Sequence, residues 1–206
     1  MSEQVHTPLI DWAVATLALE GEEESGDLHV VAPFSGGVLV GVIDGLGHGP
    51  EAAVAARNAA ETLLRHPHER VENLLERCHQ GLRGTRGAVI TLASFSERPE
   101  TMTWLGVGNI EGTLLRADPG DARPRESVML MGGVPGHQLP GLRTNKLELS
   151  AGDTLILATD GIRGGYLDLV SPSEAPQKLA DQLLSDYGKG TDDALVLVAR
   201  YRGAAA

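Results

Sequence analysis

The stretch Val38-Leu39-Val40-Gly41-Val42-Ile43-Asp44-Gly45-Leu46-Gly47-His48-Gly49-Pro50 decides how the chain is read. Its apolar run stops on an aspartate, passes through small and turn-forming residues, and reaches Pro50 ahead of an alanine-rich segment. The run predicts a buried strand and the glycines a tight turn, while a proline at the first helical position predicts a helix beginning there. Asp44 is thereby set at a strand end, where polar groups from separate elements can converge. One Asp-Gly pair is an ordinary turn. The same grammar, however, returns at Gly26-Asp27, at Asp160-Gly161 and at Asp192-Asp193.

Working outward, residues 10–19 and 27–34 read as strands, with an acidic, glycine-punctuated turn between them. Together with the opening strand they predict an antiparallel meander. Downstream, 51–65 reads as an alanine-rich helix. In a second helix Val71, Leu74, Leu75, Cys78 and Leu82 recur at helical spacing and mark one apolar face. Cys78 lies on that face and reads as a packing residue. His66, His68 and His79 lack metal-ligand spacing and read as surface residues. Strands are expected at 87–94, 101–107, 112–116 and 127–131, then a Gly/Pro loop at 132–141. Residues 143–149 and 153–159 read as a strand pair around Ser150-Ala151-Gly152. A helix over 173–187, stopped by Gly188, precedes a last strand at 194–201.

Strands gathered at both ends, without regular alternation with helices, disfavour a parallel dinucleotide-binding sheet. The expected fold is α/β of the α+β kind, a four-layer αββα sandwich of two antiparallel β-sheets flanked by helices. One domain over 1–206 is expected.

Composition narrows the function. Among 206 residues, 42% are apolar and only 3% aromatic, so the core must be Val, Leu, Ile and Ala. A net charge of −11 argues against nucleic acid or an anionic membrane as partner. A single cysteine rules out an internal disulfide and a thiolate metal site. No apolar run approaches membrane length, and the N-terminus does not resemble a signal peptide. A cytoplasmic location is the expectation.

Asp27, Asp44, Asp160 and Asp192, with Asp193 beside it, share one setting: the edge of a strand next to a glycine-rich turn. Carboxylates drawn from distant parts of a chain to strand ends suit a hard cation, and Mg²⁺ or Mn²⁺ prefers oxygen ligands. Without metal, such carboxylates would raise one another's pKa.

These residues carry a resemblance. Gly26-Asp27, Asp44-Gly45-Leu46-Gly47-His48-Gly49, Thr85-Arg86-Gly87-Ala88, Gly106-Val107-Gly108-Asn109, Thr159-Asp160-Gly161 and Asp192-Asp193-Ala194 occur in the order found in the SpoIIE-type branch of the type 2C protein serine/threonine phosphatases. The chain is similar to that family over nearly its whole length, and most similar to its stressosome feedback phosphatases. The resemblance implies two Mn²⁺ or Mg²⁺ ions bridged by Asp44. It assigns Asp27 and the Gly45 carbonyl to the second ion, and Asp160 and Asp192 to the first, with Asp193 an alternative to Asp192. A metal-bridged hydroxide would attack the phosphoryl group, with Asp44 and Asp160 counted as catalytic. Leu46 stands where eukaryotic relatives carry a histidine, which leaves His48 as candidate general acid. The substrate-binding arginine of those relatives has no counterpart, so Arg86 and Arg163 become candidates. The implied substrates are phosphorylated STAS-domain proteins, either an anti-anti-sigma factor or a stressosome scaffold, in a partner-switching pathway. A non-catalytic interaction module of the same pathway is the alternative.

Overall fold

The computed structural model describes residues 2–6 and 168 by their backbone, and residues 9–118, 120–167 and 170–203 in full. Its strands are β1 (Ser2–His6), β2 (Ile10–Leu17), β3 (Asp27–Phe34), β4 (Gly37–Gly45), β5 (Ala88–Ser96), β6 (Thr101–Val107), β7 (Glu111–Leu115), β8 (Arg125–Ser127), β9 (Leu130–Met131), β10 (Asn145–Glu148), β11 (Thr154–Ala158) and β12 (Ala194–Tyr201). Helices α1 (Pro50–Arg65), α2 (Val71–Gly81) and α3 (Pro176–Tyr187) complete it, with one 3₁₀ turn at Tyr166–Asp168.

The strands form two sheets. One runs β1-β2-β12-β11-β7-β8 and the other β10-β6-β5-β4-β3, with β9 beside β6. All pairings are antiparallel except β6–β9. Apolar side chains fill three layers. Val40, Val42, Trp104, Leu157 and Leu197 lie between the sheets. Leu39, Ile43, Ile90 and Leu92 meet α1 and α2, while Ile156, Val196 and Val198 meet α3. The αββα sandwich expected from sequence is therefore the observed fold. Each fully buried aliphatic side chain in these layers contributes roughly 1.5–3 kcal/mol.

Helix α1 begins with Pro50 in its first turn, as the opening stretch predicts. Its buried face is Ala52, Ala53, Ala55, Ala56, Ala59, Ala60 and Leu63. Small residues let it lie close on the β4 turn: a Cβ at Gly45 would stand 2.1 Å from the Ala52 carbonyl oxygen. Cys78 is fully buried against α1, and burial pushes its thiol up to about 12.

Several pairings differ from expectation. β2 does not join a meander with β3; it pairs with β1 and β12 in the other sheet. Trp12, Val14, Ala13 and Ala15 are all buried, so β2 needs cover on both faces and neighbours on both edges. The acidic segment after it is longer than a hairpin turn and carries the chain between sheets. Residues 143–149 and 153–159 are likewise not a pair, since β10 joins β6 while β11 joins β7 and β12. Asp153 makes that corner by accepting from the Ser150 and Ala117 amides and pairing with Arg116. The single strand expected at 127–131 is two short ones, β8 and β9, in different sheets. Backbone 2–6, where no element was expected, forms edge strand β1. His79 is half-buried rather than a surface residue, its Nδ1 accepting from the Gly136 amide at 3.0 Å.

Candidate metal centre

Each sheet delivers two carboxylates to the same end of the sandwich. Asp27 opens β3 and Asp44 lies at the close of β4, and the two are direct partners in the ladder. The Gly45 amide donates to the Gly26 carbonyl at 3.0 Å, which keeps the two strand ends in register. On the other sheet Asp160 follows β11 and Asp192 precedes β12, its antiparallel neighbour. Asp44, Asp160 and Asp192 line a cleft of about 280 Å³, together with Leu46, Gly47, Gly108, Asn109 and Val134. Asp27 lies deeper, 3% exposed, and accepts from Thr159 Oγ1 at 2.7 Å.

The electrostatics are those of like charges held together. Burial, followed by the charges of Asp27, Asp160, Asp192 and Asp193, pushes the Asp44 carboxyl up to about 8. Burial, opposed by the Thr159 hydrogen bond and reinforced by the neighbouring aspartates, brings Asp27 to about 7. The leading charges acting on both are carboxylates, not Arg or Lys.

Asp192 and Asp193 now separate. Asp193 is 3% exposed and spends both oxygens on backbone amides, Leu19 at 2.8 Å and Gly26 at 2.7 Å. Asp192 lines the cleft. Asp193 therefore braces the acidic segment and the start of β3, and Asp192 faces the centre.

Other candidates are scattered around it. His48 is exposed and hydrogen-bonded through Nδ1 to Glu22 at 2.6 Å. Arg86 is tied to Glu51 at 2.6 Å and sits over Gly47 at the rim. Arg163 is turned away, donating to the Asp186 carbonyl at the end of α3. Two residues join that sequence reading gave no role. Asn109 donates from Nδ2 to Asp160 Oδ2 at 2.7 Å, and Lys189 Nζ donates to the Asp160 carbonyl. The Gly106-Val107-Gly108-Asn109 turn was the available signal for the first. Nothing in the spacing pointed to the second.

Among the described residues, no three His, Cys, Asp or Glu side chains already converge on one point. Asp27 and Asp160 are turned instead onto the neutral donors Thr159 and Asn109. The donor set nevertheless fits a hard divalent cation. It is all oxygen, comes from both sides of an open cleft, and its buried members carry repulsion that a cation would relieve.

The family model for stage II sporulation protein E, SpoIIE, matches residues 35–202. The chain belongs to the SpoIIE family. It is 25% identical over 153 residues to the phosphoserine phosphatase RsbX of Bacillus subtilis (strain 168), covering 74% of this chain and 75% of RsbX. A crystal structure of RsbX in complex with magnesium superposes with a TM-score of 0.87 at 21% identity, over 98% of this chain and 100% of that one. A chain from work on the bacterial stressosome, a modular system adapted to control secondary messenger signalling, is 32% identical over 93% of this chain and 99% of its own, with a TM-score of 0.85. The catalytic domain of the serine/threonine phosphatase PstP, solved in complex with 2 manganese ions, shares the fold at a TM-score of 0.68 and 17% identity, over 94% of this chain and 99% of that one.

Proposed function

We propose that this protein is a divalent-metal-dependent phosphoserine/phosphothreonine protein phosphatase. Its proposed substrates are phosphorylated STAS-domain regulators of a partner-switching, stressosome-type pathway in the cytoplasm. The observation that carries the reading is that Asp44 from one sheet and Asp160 and Asp192 from the other line one open cleft, with the buried Asp27 paired to Asp44 in the ladder. Kinship with the phosphoserine phosphatase RsbX supports the reaction class. The stressosome chain at 32% identity supports the pathway.

In this reading Asp44, Asp160 and Asp192, with Asp27 and the Gly45 carbonyl, would hold the Mn²⁺ or Mg²⁺ ions. When bound, the ions supply an activated water and offset charge on the phosphoryl oxygens. The chain's own residues set the stage for that chemistry. Asn109 fixes the orientation of the Asp160 carboxylate, as partners behind a ligand do. Leu46 and Val134 give the cleft an apolar wall that limits water around the phosphate ester. Cys78 is excluded as a nucleophile, being fully buried with its thiol held protonated.

The test is hydrolysis of a phosphorylated STAS-domain protein by the purified chain with Mn²⁺ or Mg²⁺. Activity that disappears in EDTA and in Asp160→Asn supports the reading. Undiminished activity in excess EDTA overturns the metal dependence. Tight binding of the phosphoprotein without turnover would instead favour a non-catalytic interaction module.

A further inference from the structure

A second hollow, of about 440 Å³, lies beside the metal cleft and is lined by Pro50, Glu51, Val54, Gly84, Thr85 and Arg86. The two share a wall. Gly47 lines the cleft, and a Cβ added to it would stand 2.8 Å from Arg86 Nη1, so the guanidinium lies directly on the turn that separates them.

We infer that this groove receives the polypeptide flanking the phosphoserine, with an apolar side chain next to the phosphorylated residue seated on Val54. The inference rests on the phosphatase reading. Val54 on α1 is 44% exposed and lines the hollow, whereas the helix's other exposed apolar residue, Leu64, does not line it, and its alanines and Leu63 turn inward. The wall facing it is pre-organised. Thr85 Oγ1 donates to the Leu82 carbonyl and accepts from the Gly87 amide, and His137 Nε2 meets the Arg86 carbonyl at 2.9 Å. Glu51 neutralises Arg86 through Nε, which leaves the other guanidinium N–H groups to peptide carbonyls. An apolar seat beside a neutralised donor suits peptide rather than a free anion.

The experiment compares kcat/KM with Mn²⁺ for two phosphoserine nonapeptides, identical except that leucines or glutamates flank the phosphoserine, and for p-nitrophenyl phosphate. The wild-type chain should prefer the leucine-flanked peptide by about tenfold. Val54→Glu should erase that preference, and the milder Val54→Thr should reduce it to about threefold. A wild-type chain without preference, or a preference that survives in both variants, overturns the groove while leaving the phosphatase reading standing. Hydrolysis of p-nitrophenyl phosphate but of neither peptide also overturns it. A wild-type chain inert toward all three substrates overturns the phosphatase reading, and the groove with it.

Discussion

Asp27 and Asp44 face each other across the β3–β4 ladder, a buried acid and a half-buried one on neighbouring strands with no Arg or Lys among the leading charges acting on them. Directly opposed like charges destabilise a sheet. Asp44→Asn removes that repulsion and, in the proposed function, the metal bridge. The variant should melt higher than wild type in EDTA, show no further rise with Mn²⁺, and lose at least about a hundredfold in activity. Thermal melts with and without metal, beside a turnover assay, check all three. A variant that melts lower in EDTA would contradict the repulsion.

The same pair gives a pH dependence of known sign. Both acids are held above their ordinary value of 3.8, at about 7 for Asp27 and about 8 for Asp44. Between about pH 4 and pH 8 the folded, metal-free protein then binds more protons than the unfolded chain, so its stability falls as pH rises through that window. Mn²⁺ should flatten the fall, because the ion takes the place of the protons. Urea midpoints at pH 5 and pH 8, in EDTA and in Mn²⁺, measure it. A metal-free midpoint that rises toward pH 8 would count against the cluster.

Asn109 tests orientation rather than ligation. With its amide removed in Asn109→Ala, the Asp160 carboxylate loses the hydrogen bond that aims it. Apparent Mn²⁺ affinity should weaken by about 10–100-fold, with turnover partly recovered at saturating metal. A metal titration of activity reads this directly, and an unchanged midpoint would return Asn109 to the turn.

Asp192 and Asp193 should part company experimentally. Asp193→Ala strands the Leu19 and Gly26 amides and should cost about 2–4 kcal/mol of stability in denaturant unfolding. Asp192→Asn should leave the metal-free unfolding curve nearly in place and instead weaken metal binding. The reverse pattern would exchange their roles.

What the sequence disclosed was local. The strand-turn-helix stretch, the inward face of α2 with Cys78, and the aspartates at strand ends could all be read directly, because apolar period and turn chemistry are written in neighbouring residues. Pairing was less legible. The apolar run of β2 reports burial on both faces, yet nothing in it names β12 as partner. The Ser150-Ala151-Gly152 turn looks like a hairpin until Asp153 is seen fastening it to Arg116 on β7's sheet. Asn109 lies 51 residues from the aspartate it orients. Only tertiary structure joins them.

The split origin of the carboxylates has one more consequence. Asp27 and Asp44 ride on one sheet, Asp160 and Asp192 on the other, and Thr159 Oγ1 on Asp27 is a neutral stitch across the seam. In the proposed function, a cation in the cleft would be a rivet between the halves of the sandwich rather than a passenger on either. Chelation would loosen that end while the Arg116–Asp153 corner keeps its own ties, so the amide hydrogens that exchange faster should be those at the first residues of β3 and β12. On this account the divalent ion belongs to the architecture as much as to the reaction.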